Sequence, residues 1–135
     1  MNESSVGAYS ELGERIFFFS VNVVNLTNDL PNNLAGRNIA QQLFRSGTSV
    51  AANYEEACAA ESRADFVHKL RVSLKESRES RFWLRLLSHT ISKSDENCKQ
   101  LYQEACELCN ILGKSIVTAK KSQKSKKAEY TDCEI

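Results

Sequence analysis

Apolar residues recur along this chain at intervals of three and four over four long stretches, and nowhere do they alternate at the period of two that marks a strand. Leu12, Ile16, Phe19, Val23, Leu26 and Leu30 form the first stripe, which predicts a helix over about 10–29. Pro31 and the pair Asn32-Asn33 stop it. Ile39, Leu43, Val50 and Ala57 predict a second helix over about 35–60. Phe66, Leu70, Ser73, Ser77, Ser80, Leu84, Leu87 and Ile91 predict a third over about 63–92, with Ser62 as its N-cap three residues before Asp65. Leu101, Ala105, Leu108, Leu112, Ile116 and Ala119 predict a fourth over about 95–120. Ser94 is its expected cap, and Asp95 and Glu96 sit where the helix dipole favours acids. Connections of about two to four residues make successive helices neighbours of opposite direction. The expected fold is all-α: an antiparallel up-down-up-down four-helix bundle spanning residues 1–121.

Some positions depart from a plain amphipathic pattern. Gly47 lies inside the second helix, at a cost near 1 kcal/mol relative to Ala. Close approach of another backbone is the usual compensation, and the neighbouring Ser, Thr and Ala residues permit it. Asn53 falls on the edge of the same stripe, as expected of a polar group that hydrogen-bonds across to another helix. Ser73, Ser77 and Ser80 thin the middle of the third helix, which again favours tight packing. The first helix carries Phe17, Val21 and Val24 roughly 80–160° around from its main stripe. A bundle cannot easily cover two faces of one member, so these three residues are the candidate subunit interface of an oligomer.

Beyond Lys120 the apolar pattern stops, and a lysine-rich run gives way to Glu129, Asp132 and Glu134. Dense like charge and low hydrophobicity predict a disordered tail over 122–135. The chain's 135 residues suit one domain able to bury a core without metals or disulfides. Its five cysteines are odd in number and irregularly spaced, which points to reduced thiols in a cytoplasm. The apolar run 16–26 follows acidic residues, unlike the basic start of a signal peptide, and is too short to span a bilayer. A soluble, cytoplasmic protein is the expectation.

The net charge of +1 conceals segregation. Residues 36–93 hold ten basic against six acidic residues, residues 94–113 one against four, and residues 114–127 six lysines with no acid. On the third helix Lys75, Arg78, Arg85 and His89 all fall within about 40° of Arg71, with Phe82 inside the stripe. Guanidinium groups pair with phosphates and an exposed ring stacks on a base, so this stripe is the candidate nucleic-acid or partner site. Arg63, Lys69 and the tail lysines would extend it. The alternative is a solvated face laced by pairs such as Lys75–Glu79.

Catalytic chemistry finds little support. Glu76 and Glu79 lie beside arginines with no histidine partner, and ion pairs with Arg81 or Arg85 of a neighbouring copy suit them better than acid–base work. Cys106 and Cys109 match C-x-x-C, but in mid-helix and without further metal ligands. His68 and His89 stand about 30 Å apart along one helix, so one protomer cannot bring both to one ion. Phosphate-binding loops and the common hydrolase motifs are missing. No enzyme activity, cofactor or metal is expected.

Two blocks of sequence resemble a known family. They are Arg45-Ser46-Gly47-Thr48-Ser49-Val50-Ala51-Ala52-Asn53-Tyr54-Glu55-Glu56-Ala57, and Ser62-Arg63-Ala64-Asp65-Phe66 with the later run from Leu74 to Leu87. Both are similar to the small bacterial four-helix proteins encoded in intervening sequences of large-subunit ribosomal RNA genes. The accessory variability proteins of diversity-generating retroelements look like distant relatives. The similarity covers about residues 10–120. It implies an antiparallel four-helix bundle that assembles into a ring-shaped homopentamer. In the retroelement relatives a strongly basic ring binds nucleic acid and a reverse transcriptase, whereas this chain is nearly neutral. The resulting expectation is a non-enzymatic oligomeric scaffold or adaptor. RNA or DNA, or a nucleic-acid-processing protein, is the alternative partner.

Overall fold

The computed structural model describes residues 3–132, with side chains described over residues 11–122. Four helices follow one another: α1 (Glu3–Asn28), α2 (Leu34–Cys58), α3 (Arg63–Ser88) and α4 (Glu96–Asp132). No strand occurs among the described residues. Each helix packs on its neighbours in the chain, and α1 also meets α4, so the four close a cycle around one core. Ile16, Phe19 and Val23 of α1, Leu43 and Val50 of α2, Leu70, Leu84 and Leu87 of α3, and Leu108 and Leu112 of α4 fill it. These are the residues of the four apolar stripes, and burying them supplies the driving force of the fold.

The helix starts follow ordinary capping chemistry. Ser62 Oγ accepts from the Asp65 amide at 3.0 Å, as the sequence predicts for α3. Asn33 does the same for α2, its Oδ1 accepting from the Gly36 amide at 2.9 Å. For α4 the cap is Asp95 and not the expected Ser94. The Asp95 carboxylate accepts from the Asn97 amide at 2.9 Å, and its carbonyl accepts from Lys99 at 3.3 Å.

Three helix boundaries differ from the periodicity: α1 begins at Glu3, seven residues before the expected start near 10. α3 stops at Ser88, four residues short of the expected boundary, because His89 and Thr90 donate to Leu86 and Leu87 in three-residue turns. Ile91 still packs against the core, but from that turn. α4 continues to Asp132, past the expected end near Lys120, through a stretch that holds neither Gly nor Pro. Of the tail expected over 122–135, residues 133–135 and the side chains from 123 onward lie outside the described residues.

The small residues draw the helices together. Ser20 of α1 donates to the Gly47 carbonyl at 2.7 Å, and Ser73 of α3 donates to the Val50 carbonyl at 2.8 Å. Ser80 reaches Ser46 across the same seam at 3.0 Å. α2 is therefore bonded through its backbone on both sides, and all these serines are buried with partners. Asn53, expected to bond across, instead donates to Ser49 of its own helix at 2.9 Å.

Not every glycine marks a contact. A Cβ on Gly113 would meet nothing within 4 Å, and its backbone is helical. Gly113→Ala is expected to raise stability by up to about 1 kcal/mol through helix propensity. The urea midpoint of unfolding should rise accordingly, and a fall would show crowding at this position.

Candidate nucleic-acid and subunit interfaces

The register of the helices decides which charges remain free. Glu76 and Glu79 turn toward α2, where both accept from the guanidinium of Arg45, the first at 3.3 Å. Glu79 also accepts from the indole of Trp83 at 3.3 Å. The expected Lys75–Glu79 pair thus does not form, and neither glutamate needs an arginine of another copy. On the opposite flank Glu104 and Glu107 of α4 turn toward α1 and bind Arg15, with Arg15 Nε 2.9 Å from Glu104 Oε2. Hydrogen bonding to Glu104 raises the Arg15 pKa further above its ordinary value, so the guanidinium keeps its charge across the working pH range.

These four carboxylates are the ones carried by the middle of α3 and α4. With all of them drawn to Arg45 and Arg15, the outer face shared by α3 and α4 is left basic. Arg71, Lys75, Arg78 and Arg85 are exposed there, and Phe82 stands among them with 55% of its surface free, its ring 4.9 Å from that of Trp83. Among the described residues, none of these four cations forms an ion pair. All five residues of the stripe read from the sequence are exposed on α3. The stripe does not extend toward the start of α3. Lys69 binds Glu56 at 2.6 Å, a hydrogen bond that raises the lysine's pKa, and Arg63 lies over the ring of Phe66.

The stripe borders a shallow cleft of about 580 Å3 that sequence periodicity within one helix could not reveal. Arg78 forms one wall, Asn110 and Lys114 of α4 the other, with Gly113 and Val117 between. A second groove of about 540 Å3 runs between α1 and α4, lined by the amides of Asn22, Asn25, Asn97 and Gln100 over Leu26 and Leu101. Neither groove sets a nucleophile beside a histidine base. Among the described residues no group of three or more His, Cys, Asp or Glu is arranged to hold a metal ion. Burial pushes the Cys109 thiol up, away from the thiolate that redox exchange uses, and pushes Cys98 up to about 11.

The candidate subunit interface lies on α1. Phe17 is 52% exposed and Val24 37%, with Val21 half-buried between them. Phe18 on α1 and Phe44 on α2 are also about half exposed, and the sequence reading singled out neither. Phe44 is three residues before Gly47, the point where α2 meets α1, so it sits beside the α1 strip. No described helix is long and apolar enough to cross a membrane.

Comparison with known proteins places this geometry among relatives. Residues 11–114 match the profile of the 23S rRNA-intervening sequence protein family. A similar solved structure is the crystal structure of a protein of unknown function from the S23 ribosomal protein family of Bacteroides thetaiotaomicron. It is 36% identical, superposes with a TM-score of 0.71, and the match covers 77% of this chain and 96% of that one. No curated protein matches the chain.

Proposed function

The chain belongs to the 23S rRNA-intervening sequence protein family, and from its exposed faces we propose that it works without catalysis, as a self-associating scaffold or adaptor. The order of interhelix pairs supports an antiparallel up-down-up-down bundle as the building block. Gly13 faces Tyr54 while Val23 faces Gly47, Val50 pairs with Ser73 while Ser46 pairs with Ser80, and Leu84 meets Cys98. The observation that carries the reading is the apolar strip on α1, where Phe17 and Val24 are exposed and Val21 is half-buried among the described residues. A closed ring needs two different patches on each copy, and the assembly we propose is a homopentameric ring, as the family resemblance implies. Free thiols at Cys58, Cys98, Cys106 and Cys109 fit a cytoplasmic setting.

Light scattering at micromolar concentration is expected to give a mass several times 15.2 kDa. Phe17→Glu should reduce it to the protomer while leaving the helical circular dichroism unchanged, because the ring is half exposed in the protomer. A monodisperse wild-type monomer would overturn the proposal. Pull-down from the native host then identifies the partner that the assembly holds.

A second reading has its own observation. The α3–α4 face carries unpaired cations and no free carboxylate along the middle of both helices, which favours RNA or DNA as a ligand. Its mark is salt dependence: affinity should fall steeply between about 50 and 200 mM salt as counterion release loses its advantage.

A further inference from the structure

Resting on that second reading, we infer that the ligand is a single strand of RNA or DNA laid in the α3–α4 cleft, gripped from both walls. Arg71, Arg78 and Arg85 repeat every seven residues, so they form one row along α3 with steps of about 10.5 Å. On α4, Lys114 and Lys121 repeat at the same interval and are exposed on one face. Arg78 and Lys114 line the same cleft. The pairs between α3 and α4 run in opposite numerical order, which sets Arg71 beside Lys121 one step further along. The cleft is thus flanked by two rows of cations in matching register.

One step the other way, the α4 row holds Glu107, whose carboxylate is already taken by Arg15. Arg15 is shared between Glu107 and Glu104, so this end of the row is net acidic and marks where the cation rows stop. Between the rows the floor is open, since Gly113 has no side chain and Val117 is 53% exposed. That arrangement suits a flexible phosphodiester backbone reached from both sides. Phe82 stands four residues after Arg78 and three before Arg85, on the same shoulder of α3. An exposed ring placed there accepts a base by stacking, and only an unpaired base can stack on it. A duplex, with its bases stacked on one another, has no use for Phe82 and meets the cation rows only at its rim.

The test uses the full chain and a labelled 20-nucleotide single-stranded RNA of mixed sequence, with the same RNA annealed to its complement, read by fluorescence anisotropy. At about 50 mM salt the single strand should bind at least tenfold more tightly than the duplex. Phe82→Ala should weaken the single strand about fivefold or more and leave the duplex unchanged, while Phe82→Tyr should restore it. The pair Lys114→Ala and Lys121→Ala should lower single-strand affinity about tenfold and reduce the salt slope by about 1.4, two phosphate contacts' worth. Arg37→Ala on α2 should change nothing. Failure of the wild type to bind either nucleic acid at low salt would remove the second reading itself. If Arg78→Ala weakens binding and the lysine pair does not, the α3 stripe stands and the two-walled cleft falls. Equal binding of duplex, or equal competition by polyglutamate, would overturn the single-strand assignment.

Discussion

Replacing Gly36 by alanine should destabilise the protein by about 2–4 kcal/mol, although alanine is the better helix former by about 1 kcal/mol. An added Cβ would stand 2.0 Å from the Pro31 carbonyl oxygen and 2.9 Å from its carbon. Both are backbone atoms, so no side chain can rotate out of the way. The turn between α1 and α2 has to move instead, and it is held at both ends. Asp29 and Leu30 donate to Leu26 and Thr27 at the close of α1, and Asn33 caps α2 by accepting from Gly36 itself. Relief of the clash therefore adds the loss of an N-cap, about 0.5–2 kcal/mol, to an overpacking cost of about 1–3 kcal/mol. Urea unfolding at one fixed protein concentration should show a lower midpoint with an unchanged slope. A midpoint equal to or above that of the wild type would show that the turn yields freely.

Nothing in the sequence marks Gly36 in this way. Leu34-Ala35-Gly36 reads as an ordinary helix start, and the crowding arises from a carbonyl five residues earlier that only the folded turn brings back. Gly47 is different, because its surroundings of Ser, Thr and Ala announce a close approach, and the structure supplies the partner in Val23. The four helices and their core were legible because burial imposes the 3.6-residue period directly on composition. The end of α3 was not, since Ile91 keeps its apolar place in the core while the backbone beneath it has turned. Ser94 and Asp95 are both good caps, and the hydrogen bonds fall to the second.

The same division runs through the candidate surfaces. Arg71, Lys75, Arg78, Phe82 and Arg85 share a face by angle alone, and they are exposed as that angle requires. Which carboxylates neutralise them depends on neighbours across helix seams. Glu79, four residues after Lys75, binds Arg45, which is 34 residues away in the chain. Glu104 and Glu107 bind Arg15 at the other extreme of the sequence. A near-zero net charge thus hides a face on which cations predominate, and the lysines of α4 join it only through tertiary register.

Gly47→Ala is expected to destabilise by about 1–3 kcal/mol, the second large effect. The new Cβ would lie 2.6 and 2.8 Å from the two Cγ atoms of Val23, a residue with no exposed surface. Valine in a helix is nearly restricted to one χ1 rotamer, so the methyls cannot swing aside and α1 must back away from α2. Separation would stretch the 2.7 Å hydrogen bond from Ser20 to the Gly47 carbonyl, removing a second contribution of about 1 kcal/mol. Gly47→Leu should cost more again. The decisive variant is the double substitution Gly47→Ala with Val23→Ala. Val23→Ala alone loses packing in the core, but it also vacates the space that the alanine at 47 requires. The double variant should therefore lose less than the sum of the singles, with a coupling of about 1 kcal/mol or more. Strict additivity, or a stabilising Gly47→Ala, would mean that the two helices are not held together at this point. The serine-to-carbonyl bonds on either side of α2 would then have to set the spacing of the bundle without help from glycine.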